Sequence, residues 1–319
     1  MAAARPPSGI LADVTAVIGR TPMVELRRLA PSPSVRLFAK IEGANPTGSV
    51  KDRIALSMLT DARATGALQP GQTIFEPSSG NTGISLAMVG RLLGHPVRVV
   101  MPDNTTPERE QLLRAYGAEI VFSPGAEGSN GSIRMADRLA AEDPSLFMPF
   151  QYANEANPRA HEEGTGPEIL EAVPNVDAFV AGLGTGGTLT GVGRALKAAR
   201  PGVRVVAAEP LPGEQVQGLR SLEEGYVPPV LDASVLDDRF LVSNRDAVLG
   251  VRRLMSEEGI FAGLSSGAAL SVALRVAANL DHGSVVVLFA DSGAKYVSAG
   301  LWDRDIDALE DQMERQVLW

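Results

Sequence analysis

The sequence predicts an α/β protein in two lobes, each built on a mainly parallel, twisted sheet flanked by helices. Three observations predict it. Short apolar, strand-like segments alternate with helix-patterned ones from Thr73 to Glu142, and again from Ala178 to Ala290. Between the two runs, Asp143 to Pro167 is polar and nearly without periodicity, which reads as a crossing between lobes. The chain of 319 residues is long for one compact core.

Taken in order, residues 1–12 read as a loose arm and Pro22–Leu29 as a short strand. Val35 to Glu42 alternates apolar and polar, the period of a half-buried strand. A turn at Asn45-Pro46 leads to a helix ending near Gly66, with Ser49 as its candidate N-cap. Thr73–Glu76 predicts a strand, Ile84–Leu93 a helix and Val97–Met101 a strand. Thr105–Tyr116 predicts a helix, with Thr106 and Pro107 suited to its N-cap and first position. Glu119–Phe122 and Ser132–Glu142 complete the first run. In the second, strands at Ala178–Ala181, Val203–Ala208 and Ser284–Ala290 accompany helices ending near Ala199 and spanning Asp246–Glu258 and Ser266–Ala278. Pro210–Asp238 is rich in Gly and Pro and reads as a long, partly irregular segment, and Asp303–Trp319 as an acidic helical tail.

Composition excludes several function classes. The net charge is −9 and no basic block occurs, against nucleic acid as the main partner. Cysteine is absent, which removes disulfides, thiolate metal sites and a cysteine nucleophile. No metal site is expected. The first residues lack the apolar stretch of a signal peptide, and no run of about 18 apolar residues exists to span a membrane. A soluble cytoplasmic protein is the expectation.

The chemistry centres on Asn45-Pro46-Thr47-Gly48-Ser49-Val50-Lys51-Asp52-Arg53. Lys51 falls in the first turn of a helix, where the helix dipole disfavours a cation. An amine kept easy to deprotonate there suits imine formation with a carbonyl; a solvated lysine is the plainer alternative. Only four lysines exist, Lys40, Lys51, Lys197 and Lys295, so any such chemistry has few amines to choose from.

Three loops could hold anions. In Gly182-Leu183-Gly184-Thr185-Gly186-Gly187-Thr188, glycines allow close backbone approach and the following helix supplies N–H donors. Gly182, Gly184 and Gly187 also satisfy a dinucleotide spacing, for which Glu209 stands slightly late as a ribose partner. Ser78-Ser79-Gly80-Asn81-Thr82 offers hydroxyls and N–H groups to a carboxylate or other small anion, or is an ordinary capping loop. In Gly263-Leu264-Ser265-Ser266-Gly267, either serine reads as an N-cap.

Together these pieces resemble the fold-type II pyridoxal-phosphate enzymes (tryptophan synthase β-like), and within them the cysteine synthases or O-acetylserine sulfhydrylases. The resemblance extends to Ile18-Gly19-Arg20-Thr21-Pro22-Met23-Val24, Gly164-Thr165-Gly166-Pro167-Glu168 and Glu258–Gly267, nearly the whole chain. It implies pyridoxal 5'-phosphate as cofactor, joined to Lys51, which later serves as general base at the substrate Cα. Gly184, Thr185, Gly186, Gly187 and Thr188 would hold the cofactor phosphate, Asn81 the ring hydroxyl and Ser265 the pyridine nitrogen. Ser78, Ser79, Gly80 and Thr82 would bind the substrate carboxylate, with Gln151 nearby. The implied reaction is β-replacement on an O-activated L-serine through an aminoacrylate, giving L-cysteine. The implied architecture is a small mobile lobe of residues 46–150 and a larger lobe of 13–45 plus 151–319, in a homodimer.

Arg220, in Gly218-Leu219-Arg220-Ser221, could bind a dianionic leaving group bidentately. With the tail Val317-Leu318-Trp319 it resembles the cysteine synthase B branch. That branch includes mycobacterial O-phosphoserine-using members, associated with a thiocarboxylated sulfur-carrier protein, and others that take O-acetylserine. The alternatives are β-replacement with homocysteine, as in cystathionine β-synthases, a nicotinamide oxidoreductase read from the glycine loop, and a non-enzymatic role in binding a partner.

Overall fold

The computed structural model describes residues 9–315 apart from Ser79 and Gln215. Strands β1 (Met23–Glu25) and β2 (Val35–Ile41) come first, then helix α1 (Lys51–Ala64). β3 (Thr73–Pro77), α2 (Asn81–Leu92), β4 (Val97–Pro102), α3 (Pro107–Ala115), β5 (Glu119–Ser123) and α4 (Gly128–Glu142) alternate as the pattern predicts. After β6 (Leu146–Phe147), α5 (Ala156–Ala160), a π-helical turn at His161–Thr165 and α6 (Gly166–Ala172) run without a break. Then follow β7 (Ala178–Gly182), α7 (Gly187–Ala199), β8 (Arg204–Pro210), β9 (Asp238–Val242), α8 (Asn244–Glu258), α9 (Leu264–Ala278), β10 (Gly283–Phe289) and α10 (Ile306–Arg315).

The strands form two sheets. One has the order β1-β2-β10-β7-β8-β9 and the other β5-β4-β3-β6. All neighbours are parallel except β1, which pairs antiparallel with β2. Parallel sheets need both faces covered, and the alternation along each strand provides for that. Val285 and Val287 of β10 pack among Val251, Leu270 and Ala273 of α8 and α9. Val286 and Leu288 face the other way, into the layer of Ile169, Leu189 and Val192. In the smaller sheet Ile74 and Val99 meet Ile54, Met58 and Val89 of α1 and α2, while Phe75 and Val100 meet Ala136 of α4. No helix among the described residues is long and apolar enough to cross a membrane.

Several expectations are corrected. Ser49 is not the N-cap of α1: Val50 occupies that position, and the Ser49 hydroxyl accepts only a long 3.4 Å bond from the Lys51 N–H. Neither Ser265 nor Ser266 caps α9, because the helix begins one turn position earlier with Gly263 as N-cap. The stretch 143–167, which the pattern leaves without a predicted element, holds β6 and, from Ala156 on, helix; α5 lies so close on α7 that a Cβ at Gly191 would sit 2.0 Å from the Pro158 carbonyl oxygen. β9, for which the sequence pattern predicts nothing, is a half-exposed edge strand that pairs, among the described residues, with β8 alone. The tail residues Val317–Trp319 lie outside the described residues.

Candidate active site

Lys51 is the first residue of α1, and its surroundings hold that helix end firmly. Gly48 takes a left-handed conformation (φ 80°), closing the turn with its N–H on the Asn45 carbonyl. The Val50 N–H donates to Ala290 O and the Ser292 N–H to Gly48 O, which ties the turn to the end of β10. The Asp52 carboxylate accepts from the Thr47 N–H (2.7 Å), the Ser85 hydroxyl (2.6 Å) and the Thr47 hydroxyl. Arg53 is paired to Glu42 and Glu168. With its neighbours anchored on both sides, Lys51 lines the cleft between the sheets. Burial pulls its amine down to about 8, against the opposing pull of the Asp291 carboxylate.

The cleft has an empty volume of about 790 Å3, beside a narrower one of about 430 Å3. Lys51, Gly184, Thr185, Gly218 and Ser265 line both. Gly186 and Thr188 line the narrower part, at the N-terminus of α7, where N–H groups and the helix dipole favour an anion. The loop tolerates little but glycine. A Cβ at Gly184 would meet the Gly218 carbonyl at 2.8 Å, and one at Gly187 would meet Asn157 Oδ1 at 2.0 Å. Asn157 also donates to Thr185 Oγ1 at 3.1 Å, and the Thr188 hydroxyl lies 3.2 Å from His161 Nε2. Burial lowers the His161 imidazole well below its usual range, so a neutral ring braces the loop.

The loop before α2 meets the same cleft. The Ser78 hydroxyl oxygen accepts from the N–H groups of Gly80 (3.2 Å) and Gly83 (3.0 Å). The Thr82 hydroxyl donates to Gln151 Oε1 at 2.6 Å. Gln151 is placed in turn by Glu76, whose carboxylate accepts the Phe150 and Gln151 N–H groups at 2.7 and 2.9 Å. Ser79 lies outside the described residues. Asn81 lines the cleft with its amide orientation settled by chemistry: Lys295 can only donate to its oxygen (2.6 Å), and Asp291 can only accept from its nitrogen (2.7 Å).

Arg220 lines the cleft and is 7% exposed. Its guanidinium donates to Asn130 Oδ1 at 2.8 Å and lies over the rings of Tyr226 and Tyr152, 5.0 and 5.5 Å from their centroids. It makes no ion pair among the described residues. Thus Lys51, the glycine loop, Ser78, Asn81, Thr82, Gln151, Arg220 and Ser265, all named from sequence, converge on one cleft. Gly80 lies beside Arg109, whose Cδ a Cβ at position 80 would meet at 2.6 Å.

Glu209, the ribose candidate of the dinucleotide reading, is already engaged. It is buried, accepts from the Leu222 N–H at 2.6 Å and pairs with Arg239 at 3.1 Å. Sequence reasoning missed Arg109, Asn157, Asp291 and Lys295. Arg109 sits in a predicted helix with no local signal of a site, and the others become neighbours of the cleft only through contacts distant in sequence.

Pyridoxal phosphate requires an amine free to lose its proton, an anion cradle and room for a flat ring between them. The residues fit on all three counts. Lys51 supplies the amine and the α7 N-terminus the cradle. Between them, Gly184 and Gly218 line the space without adding a side chain to it.

Comparison with known proteins agrees with this geometry. The family model described as pyridoxal-phosphate dependent enzyme matches residues 14–291. A probable cysteine synthase of Bacillus subtilis is 44% identical over 305 residues, covering 92% of this chain and 98% of that protein. A cysteine synthase of Staphylococcus aureus is 43% identical over 303 residues, covering 92% and 97%. Among solved structures, an O-ureido-L-serine synthase superposes with a TM-score of 0.87 at 44% identity, over 94% of this chain and 99% of the other. A cysteine synthase of Entamoeba histolytica gives 0.88 at 30% identity, over 99% and 98%. On this sequence likeness, carried along nearly its full length, the chain belongs to the pyridoxal-phosphate dependent enzymes and, within them, to the cysteine synthase family.

Proposed function

We propose that this cysteine synthase replaces the β substituent of O-phospho-L-serine with sulfur, in preference to that of O-acetyl-L-serine. The observation that carries the choice is Arg220. A buried guanidinium with no carboxylate partner among the described residues, held over two aromatic rings in the wall of the cleft, suits a dianionic leaving group. An acetate leaving group has no comparable need of it.

Lys51 would hold the cofactor, with Gly184–Thr188 on its phosphate, Asn81 on its ring hydroxyl and Ser265 at its ring nitrogen. When bound, pyridoxal phosphate supplies the electron sink that makes the Cα proton labile. The Lys51 amine, brought to about 8 by burial, is neutral often enough near neutral pH to take that proton. Ser78, Ser79, Gly80, Thr82 and Gln151 hold the substrate carboxylate, and Arg220 neutralises the phosphate as it departs. A hydroxyl at position 265, unlike a carboxylate, leaves the ring nitrogen uncharged and so favours prompt loss of the β group over a long-lived carbanion.

Carboxylate binding would draw the small lobe, 46–150, toward the larger one. The support is that α2 and β3 carry the carboxylate loop while α7 and α9 carry the cofactor loops, on different sheets. We place the enzyme in the cytoplasm as a homodimer, with a thiocarboxylated carrier protein as a candidate sulfur donor.

The test is a product assay with O-phosphoserine and O-acetylserine, each with sulfide and with homocysteine, in wild type and Arg220→Ala. O-ureido-L-serine is assayed as well, because of the synthases of that product among the similar structures. Selective loss of the O-phosphoserine reaction supports the proposal; equal loss of both reactions removes it.

A further inference from the structure

Lys295 is a buried amine for which the reaction as described has no task. It lies in the 3-10 helical turn Gly293–Ala299, which follows β10, and is 2% exposed. Its carbonyl accepts from the Thr106 hydroxyl at 3.0 Å, which ties its backbone to the start of α3. Its stem passes Gly48, where a Cβ would meet Cε at an ordinary 3.8 Å. Its Nζ ends on Asn81 Oδ1 at 2.6 Å and makes no ion pair among the described residues. The side chain thus runs beside the turn before Lys51 to reach the first residue of α2. Burial pulls the amine down to about 8; the Asp291 and Asp52 carboxylates favour its charge and the Arg109 guanidinium opposes it. It therefore still carries its proton at pH 7.

A buried ammonium is a poor source of stability, because one hydrogen bond does not offset its desolvation. Its effect on Asn81 is specific. A charged donor on the amide oxygen polarises the whole amide and strengthens its N–H groups as donors. Asn81 Nδ2 gives one hydrogen to Asp291 Oδ2 at 2.7 Å, and an amide nitrogen has two. Asp291 Oδ2 also accepts from the Tyr296 hydroxyl at 2.9 Å, while its Oδ1 is buried without a partner among the described residues. The carboxylate alone would be enough to settle which end of the amide is nitrogen. What Lys295 adds is positive charge, one amide away from the cleft that Asn81 lines. A donor polarised in this way suits an oxygen bearing negative charge.

We propose that Lys295 is a positioning residue for the cofactor: its charge, acting through Asn81, secures the ring oxygen of pyridoxal phosphate. The inference rests on the reading that Asn81 meets that oxygen.

The test compares pyridoxal phosphate with 3-deoxypyridoxal phosphate, which keeps the aldehyde and phosphate but lacks the ring oxygen. Equilibrium dialysis of the full-length apoprotein at pH 7 gives both dissociation constants, with no turnover involved. The wild-type preference includes the chemistry of the ring itself, so the change on substitution is the readout. Lys295→Met, similar in length and uncharged, should weaken pyridoxal phosphate binding by about tenfold and leave the deoxy compound nearly unchanged. Lys295→Gln keeps a donor without the charge, and its preference should fall part of the way; should the methionine variant not fold, this one decides. Equal weakening of both ligands means that Lys295 only supports the structure, and overturns the proposal, as does an undiminished preference. Asn81→Ala examines the underlying reading. If it removes the preference while Lys295→Met spares it, the proposal for Lys295 fails and the reading of Asn81 stands. If it spares the preference, that reading fails and the route through Asn81 fails with it.

Discussion

Arg53 and Glu168 meet in a two-pronged ion pair, Nη1 to Oε1 and Nη2 to Oε2, each at 2.7 Å. The pair joins the first turn of α1, two residues beyond Lys51, to the start of α6. Lys40 adds a third contact to Glu168 at 2.6 Å, and Glu42 takes the other edge of the guanidinium. Arg53, Lys40 and Glu42 are buried and Glu168 largely so; their charges are compensated within the cluster, to which Thr21, Asn45 and the Arg20 N–H add hydrogen bonds.

Glu168→Gln should therefore destabilise the protein by about 3 kcal/mol at pH 7. Burial raises the Glu168 carboxyl, but Arg53 and Lys40 outweigh it and hold the group down at about 2, against an ordinary 4.5. A depressed carboxylate stabilises the fold fully above its unfolded value, and the contribution fades as pH falls from 4.5 toward 2. Denaturant titrations of both proteins should accordingly differ most near neutrality and converge in acid.

Lys51 gives a second pH dependence. Its amine must be neutral to attack an aldehyde, and burial sets its midpoint at about 8. Stopped-flow capture of pyridoxal phosphate by apoprotein should speed up with pH through that midpoint and level off above it. A rate still rising through pH 10 would mean that the amine titrates like an exposed lysine.

Gly184→Ala should weaken the cofactor's phosphate grip. The new methyl group would press on the Gly218 carbonyl, and relief requires the two loops to part. We expect the pyridoxal phosphate dissociation constant to rise by about tenfold or more, with thermal stability of the apoprotein little changed. Equilibrium dialysis measures the first quantity and calorimetry the second.

Thr82→Val removes the hydroxyl that meets Gln151 and, in the proposed function, the substrate carboxylate. KM for the amino-acid substrate should rise by about tenfold while cofactor affinity holds, since neither residue belongs to the phosphate cradle. Steady-state kinetics at saturating cofactor reads the change.

Much of this arrangement was legible in the sequence, because each loop sits at a strand–helix junction that punctuation residues mark. Gly184 and Gly187 announce close approaches that a side chain would block, and Gly48 a left-handed turn; the structure has each of these. What stayed hidden depends on the third dimension. The helical character of 156–172 comes from its packing on α7, and β9 forms because β8 offers it an edge. Helix starts shifted by one or two residues at Lys51 and Leu264, where tertiary anchoring replaces a side-chain cap. Arg109 was invisible as a site residue, since a charged residue in a helix reads as solvated until a facing loop buries it, and Lys295 stood out only as one of four lysines.

Lys295 matters for the most direct test. It is the other buried amine beside the cleft, also lowered to about 8 by burial. It is spent on Asn81, however, whereas Lys51 shares its cavity with the glycine loop. Borohydride reduction of the holoenzyme, followed by peptide mapping, reports which nitrogen carries the cofactor. The account predicts a pyridoxyl label on the peptide containing Lys51 and none elsewhere. A label on Lys295, or an unlabelled Lys51 in cofactor-saturated protein, would contradict it.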